Sequence, residues 1–197
     1  MSPISRRRFL EIGFTLALVG ALGASVKFMP RPRLVRPPGA LVEEEFLSKC
    51  IRCGLCVENC LTGTLSPAPL SMGLAVWGTP RIDPLKAPCE AVKGRCENVL
   101  PCVRACPTEA LVFVDSKFIK LGTVVWIREN CLPVKYKLEC LVCQEVCPVG
   151  AVDNKGMIAV FRKEKCVGCG KCVYACPAIP KALYLSPIGE RRVATTR

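Results

Sequence analysis

The most apolar uncharged stretch of the chain lies near its amino end. Ile12 to Val26 is fifteen residues without a charge, preceded by Ser5-Arg6-Arg7-Arg8-Phe9-Leu10 and followed by a basic, proline-rich run from Lys27 to Pro38. A membrane span needs roughly 20 apolar residues, so this stretch is short for one and fits the apolar region of an export signal. Beyond it the pattern breaks into small pieces. Pro30 to Ala40 predicts a polyproline-like spacer, and Leu41 to Lys49 a short acidic helix. Leu111 to Val114 and Met157 to Phe161 are short apolar stretches, rich in β-branched and aromatic residues, and predict strands.

Those pieces recur in a set order. Four similar phrases follow four cysteine-rich loops: Leu61-Thr62-Gly63-Thr64-Leu65, Pro107-Thr108-Glu109-Ala110-Leu111, Pro148-Val149-Gly150-Ala151-Val152 and Pro177-Ala178-Ile179-Pro180-Lys181-Ala182-Leu183. This is an internal repeat, each unit a cysteine loop, a short helix and a strand. Two such units make one two-cluster ferredoxin fold. The expected fold class is therefore α+β and loop-rich, with two fused ferredoxin-like 2[4Fe–4S] units. The expected domains are a signal or anchor over residues 1–29, a proline-rich linker over 30–45, a double ferredoxin-like domain over 46–187 and a basic tail over 188–197.

Composition explains what fills those loops. The 197 residues include 16 cysteines and no histidine. The cysteines form four quartets: Cys50/Cys53/Cys56/Cys60, Cys89/Cys96/Cys102/Cys106, Cys131/Cys140/Cys143/Cys147 and Cys166/Cys169/Cys172/Cys176. The first and last have the C-x2-C-x2-C-x3-C spacing that holds [4Fe–4S] cubes, in which the fourth cysteine ligates the neighbouring cluster. Three quartets end in Cys-Pro, and proline, lacking an N–H, turns the chain away. Sixteen ligands divided by four per cube imply four [4Fe–4S] clusters. Disulfides are disfavoured because C-x2-C-x2-C crowds three thiols together without pairing them. Structural zinc usually shows paired C-x2-C units. The absence of histidine excludes c-type haem attachment, Rieske centres and histidine-based catalysis. The second quartet, stretched to C-x6-C-x5-C-x3-C, is the least regular site.

Charge changes the picture less than it first suggests. The net charge is +12, and half of it lies in residues 1–40, where seven basic side chains face Glu11. An oxidised cube with four thiolates carries about −2, so the loaded body would be near neutral. A nucleic-acid partner is not implied. With abundant cysteine, proline and glycine and few aromatics, the clusters must stand in for part of the core.

The amino end reads as a twin-arginine signal, an address read by a receptor. That route carries proteins already folded around cofactors. Ala21-Leu22-Gly23 is a weak cleavage site, and cleavage and retention as an anchor stay open. The expected location is the periplasm or the outer face of the cytoplasmic membrane, with peripheral membrane association.

With these residues in hand, the chain resembles the NapG/MauM-type ferredoxins of periplasmic nitrate reduction and methylamine utilisation. The likeness rests on Arg6 to Leu10, on Arg36-Pro37-Pro38-Gly39-Ala40, and on Cys50-Ile51-Arg52-Cys53-Gly54-Leu55-Cys56. It also rests on the expanded quartet from Cys131-Leu132 and on Cys166-Val167-Gly168-Cys169-Gly170-Lys171-Cys172. The resemblance implies a non-enzymatic electron carrier that passes electrons between a membrane quinol-oxidising partner and an exported terminal redox enzyme. The stretched second quartet departs from the nitrate-reduction pattern. The alternatives are an electron-transfer subunit of a molybdenum or tungsten oxidoreductase or hydrogenase, and an assembly factor. Analogy with four-cluster subunits of molybdenum oxidoreductases implies nested pairing. Cys50, Cys53 and Cys56 would then join Cys176, and Cys166, Cys169 and Cys172 would join Cys60. Cys89, Cys96 and Cys102 would join Cys147, and Cys131, Cys140 and Cys143 would join Cys106. Sequential pairing of quartets is the rival.

Some other residues invite a role. Trp77 and Trp126 are expected to pack against loops rather than relay electrons. Glu43-Glu44-Glu45 is expected to be a solvated helix start, and Lys135-Tyr136-Lys137 an exposed turn. Lys49, Arg52, Arg104, Lys165 and Lys171 sit beside cysteines and would raise cluster potentials.

Overall fold

A computed structural model describes residues 7–9, 12–17, 20 and 32–194. The chain divides into a unit of residues 1–32 and a unit of residues 33–197. In the first unit residues 7–9 and 12–17 are helical and exposed. Most of the expected signal, including Arg6 and the Ala21-Leu22-Gly23 site, lies outside the described residues, as do residues 195–197. No helix among the described residues is long and apolar enough to cross a membrane.

The second unit is built from very short elements. Helix α1 (Glu43–Lys49) carries three glutamates in its first turn and Lys49 in its last, a distribution that complements the helix dipole. Its Phe46 is completely buried. Helices α2 (Leu55–Glu58), α3 (Pro101–Arg104), α4 (Leu132–Tyr136), α5 (Val142–Glu145) and α6 (Lys171–Ala175) span one turn or little more. Isolated helices of that length are unstable in water, so the surrounding structure must hold them. Three start behind a left-handed residue: Gly54 at φ +81, Leu100 at φ +43 and Gly170 at φ +76.

Three two-stranded antiparallel sheets frame the loops. Strand β1 (Leu65–Pro67) pairs with β2 (Pro80–Ile82). Strand β3 (Thr123–Trp126) pairs with β6 (Leu183–Ser186), with Val124 opposite Leu185. Between them in sequence, β4 (Val152–Lys155) and β5 (Ile158–Phe161) form a hairpin. Met157–Phe161 thus folds as expected, but Leu111–Val114 does not. That segment makes only a bridge from Leu111 to Ala40, with the Val112 N–H donating to Gly39 O at 2.9 Å. Gly39 cannot be replaced in this crossing. Its φ is +73, and a Cβ would overlap the Val112 carbonyl.

Two further expectations are corrected. In its described part the expected linker over 30–45 is no spacer, since Leu34 to Leu41 is buried. The buried, charged Arg36 anchors it there. The expected basic tail over 188–197 is tied down in its described part. Val193 exchanges backbone hydrogen bonds with Val42 and Ala40 at 3.0 and 3.1 Å, and Arg191 N–H donates to Lys120 O.

The largest core gathers Leu41, Phe46, Leu65, Ile82, Leu100, Leu111 and Leu121 around several cysteines. A smaller one holds Val124, Cys172, Val173 and Leu183.

Candidate iron–sulfur centres

The sixteen cysteines are all free thiols, and they line four cavities, four to a cavity. Cys50, Cys53, Cys56 and Cys106 line the first, of about 270 Å³. Cys60, Cys89, Cys96 and Cys102 line the second. Cys131, Cys140, Cys143 and Cys176 line the third, and Cys147, Cys166, Cys169 and Cys172 the fourth. Each cavity takes three thiols from one quartet and the fourth from a neighbour.

The neighbour is the adjacent quartet in sequence, so the nested pairing is overturned. Cys106, not Cys176, joins Cys50, Cys53 and Cys56. Cys60 joins the Cys89 loop, Cys176 the Cys131 loop and Cys147 the Cys166 loop. The physical reason is local. Ala40–Leu111 and β3–β6 each close one pair of quartets into its own half, and the shorter loops cost less entropy to close.

The cavities also have an order in space. Cys102 feels Cys56 electrostatically, which places the second cavity beside the first. Cys172 feels Cys143, which places the fourth beside the third. The halves meet where the Cys89 N–H donates to Cys169 O at 2.8 Å, so the second and fourth cavities adjoin. Gly170 permits this approach. At φ +76, a Cβ there would stand 2.8 Å from Pro84 Cβ.

The donor set fits cubes better than single ions. Among the described residues no three cysteine, aspartate or glutamate side chains converge tightly enough to grip one metal ion. The thiols instead surround a volume, as a four-iron core requires. Burial pushes Cys56 up to about 11, Cys102 up to about 12 and Cys143 up to about 11, and it raises Cys89 and Cys172 further still. Such thiols stay protonated without metal, and binding must expel their protons.

Cys60 and Cys106 differ. Burial pushes them up, but hydrogen bonds outweigh it and hold both below the ordinary thiol value. The N–H groups of Leu65, Thr62 and Thr64 face Cys60, and those of Leu111, Thr108 and Ala110 face Cys106. Thr62 and Thr108 hydroxyls lie 3.6 and 3.8 Å from the two sulfurs. Ala151 N–H donates to Cys147 Sγ at 3.2 Å in the same manner. This explains the repeated phrase. The third residue after the cysteine is left-handed each time: Gly63 at φ +70, Glu109 at +55 and Gly150 at +59. It folds the following amides back onto the sulfur. The fourth phrase is two residues longer and works differently, with Lys181 Nζ donating to the carbonyls of Cys176 and Tyr174.

Among the charges expected beside cysteines, Lys171 acts on Cys169, and Arg52 reaches Cys50 through its backbone N–H. Two others were missed. Arg95 acts on Cys96, and Arg36 on Cys50. Arg36 donates to Thr79 and to Pro80 O at 2.7 and 2.8 Å, pairs with Glu43 at 2.5 Å and lies 4.7 Å from the Phe46 ring. The only sequence signal was its place in Arg36-Pro37-Pro38-Gly39-Ala40. Glu43 is therefore tied down rather than solvated. Trp126 lines the Cys131 cavity and packs against Phe161 of β5, whereas Trp77, expected to pack against a loop, is exposed, and Tyr136 is exposed as expected.

Comparison with known proteins agrees with this chemistry. Models of 4Fe-4S binding domains match residues 47–63, 138–151 and 158–183, leaving the stretched quartet Cys89–Cys106 outside those three segments. The chain is 38% identical to the methylamine utilization ferredoxin-type protein MauM of Paracoccus denitrificans, over 91% of this chain and 84% of that protein. It is 34% identical to MauM of Methylobacillus flagellatus, over 87% and 78%. It is 32% identical to the ferredoxin-type protein NapG of Escherichia coli, over 93% and 86%.

Proposed function

The chain belongs to the MauM and NapG family of ferredoxin-type, iron–sulfur electron-transfer proteins, and on that footing we propose that it holds four [4Fe–4S] clusters in two fused ferredoxin-like units. It relays electrons between a membrane quinol-oxidising partner and an exported terminal redox enzyme. One observation carries the reading: every one of the sixteen thiols is used, four to a cavity, each cavity borrowing its fourth thiol from the adjacent quartet. The two halves share a plan, an outer pairing around an inner two-stranded sheet. It is this plan that supports two fused units.

When bound, a cube supplies a one-electron couple. The chain's own residues do the rest. Cysteine loops fix the thiols, and burial keeps water from Cys56, Cys89, Cys102, Cys169 and Cys172. The amides after Cys60, Cys106 and Cys147 stabilise negative charge on sulfur, an environment that raises potential. Arg36 and Lys171 add positive charge near Cys50 and Cys169. On this reading the protein's work is spacing, insulation and tuning. Export by the twin-arginine route to the outer face of the membrane is part of the proposal.

The test is iron and acid-labile sulfide on anaerobically purified protein, with EPR after dithionite. About 16 of each per chain, with interacting S = 1/2 signals, supports four cubes. About 12, or zinc, sinks it. Alkylation mapping tests the pairing. In Cys176→Ala, Cys131, Cys140 and Cys143 should become reactive while Cys50, Cys53 and Cys56 stay protected. Reduction by quinol-fed membranes tests the relay, and fractionation of an Arg6→Lys/Arg7→Lys variant tests the route.

A further inference from the structure

Strands β3 and β5 each belong to a sheet of only two strands. Each therefore keeps one edge on which alternate N–H and C=O groups face no partner strand. Both strands border the same groove, of about 530 Å³. All four residues of β3 and all four of β5 line it, whereas β4 supplies only Lys155 and β6 nothing. Side chains alternate between faces along a strand. A groove touched by every consecutive residue of two strands thus runs along their backbone edges.

Its walls have a definite chemistry. Val124, Trp126, Ala159 and Phe161 make the interior apolar, and Arg128, Lys155 and Lys163 supply its charge with no carboxylate among the lining residues. Among the described residues none of these three cations is in an ion pair. The indole N–H of Trp126 is buried without a hydrogen-bond partner.

We propose that this groove binds an extended segment of a protein partner, alternately apolar and flanked by carboxylates, which adds a strand along the free edges of β3 and β5. Strand addition is a recurring mode of peptide recognition in which backbone hydrogen bonds give affinity and flanking pockets give specificity. A lipid surface leaves the strand edges unpaired, and a second copy of this chain brings its own three cations. The position matters too. Trp126 and Phe161 also wall the Cys131/Cys140/Cys143/Cys176 cavity, and Val124 and Phe161 wall the Cys147/Cys166/Cys169/Cys172 cavity. The occupant thus sits one side chain away from two thiol sets. That this partner exchanges electrons rests on the relay reading, whereas its binding does not.

The probe is a fluorescein-labelled peptide, Glu-Asp-Val-Thr-Val-Thr-Val-Asp-Glu, titrated anaerobically onto the cluster-loaded full chain and read by fluorescence anisotropy. Saturable binding is expected, weakened at least about tenfold in Arg128→Glu/Lys155→Glu, a variant that touches no thiol. Iron content of that variant shows that it is folded. Methylating alternate backbone nitrogens of the peptide should abolish binding. The proposal is overturned by absent saturation, or by binding indifferent to methylation. It is also overturned if the protein floats with phosphatidylglycerol vesicles through this face, or forms a dimer that Val160→Lys dissolves. Peptide binding without reduction by quinol-fed membranes would leave the docking site standing and remove the relay.

Discussion

The half around the first two cavities and the half around the last two solve one problem by different means. The second half, residues 121–186, has regular ladders: four paired positions in β3–β6 and four in β4–β5. Its own core is small, with Val124, Cys172, Val173 and Leu183 buried. The first half reduces its outer pairing to the single bridge Ala40–Leu111. In exchange it has the larger core, the buried Arg36 network and the returning Val193. A ladder can therefore be replaced by packing and a buried cation. The exchange also decides which edges remain open. Val193 covers the chain at Leu41, while β3 and β5 stay uncovered and border the cationic groove.

Removing iron should have the largest effect and should expose this asymmetry. With few apolar side chains beneath it, the second half depends on its cofactors for cohesion. On anaerobic chelation, hydrogen exchange should rise throughout, but first and most fully across β3 to β6. Residual protection should persist at Phe46, Leu65 and Leu100. Equal and simultaneous loss in both halves would erase the distinction.

Gly39→Ala attacks the single bridge. The added Cβ overlaps the Val112 carbonyl in a left-handed conformation, and a cost of roughly 3 kcal/mol or more is expected. Iron loss should be confined to the Cys50 and Cys89 cavities, leaving half the iron. Arg36→Met removes the cation that Glu43, Thr79 and Pro80 share. Breaking a buried pair leaves Glu43 without its nearest partner, at a cost of about 3 kcal/mol in thermal unfolding. Arg36→Lys should rescue only in part, because an ammonium cannot replace the forked contact. Full rescue would mean that charge alone holds the segment.

Much of this was legible because cysteine spacing carries chemistry directly. The quartets marked the sixteen thiols that the fold gathers four to a cavity, and Glu43–Lys49 and Ile158–Phe161 announced themselves through local pattern. What stayed hidden depended on tertiary neighbours. Pro30–Ala40 reads as a spacer because proline and arginine usually stay in solvent. Only the meeting of Arg36 with Thr79 and Pro80, more than forty residues away, and with Glu43 on the next helix offsets the cost of its burial. The pairing of quartets was illegible for a related reason. Spacing fixes which three thiols share a loop, but the fourth is assigned by strand pairing across the half. Leu111–Val114 has strand composition, but its one partner residue is Ala40. The groove is a property of edges left over, and no residue pattern marks an edge as unpaired.

The repeated phrase gives the smallest and cleanest comparison. Gly63, Glu109 and Gly150 occupy equivalent left-handed positions, at φ +70, +55 and +59. Each turns the next amides onto the sulfur three residues earlier. At Gly63 and Gly150 a Cβ would meet nothing within 4 Å, so only backbone preference is at stake there. Gly63→Ala and Gly150→Ala should each cost about 1 kcal/mol, the price of a left-handed non-glycine residue. Glu109→Gly should gain a similar amount, offset slightly by the larger entropy of glycine in the unfolded chain. Thermal unfolding of the loaded protein in all three variants decides it. If Glu109→Gly is instead destabilising, the glutamate side chain has a role that the turn geometry does not require.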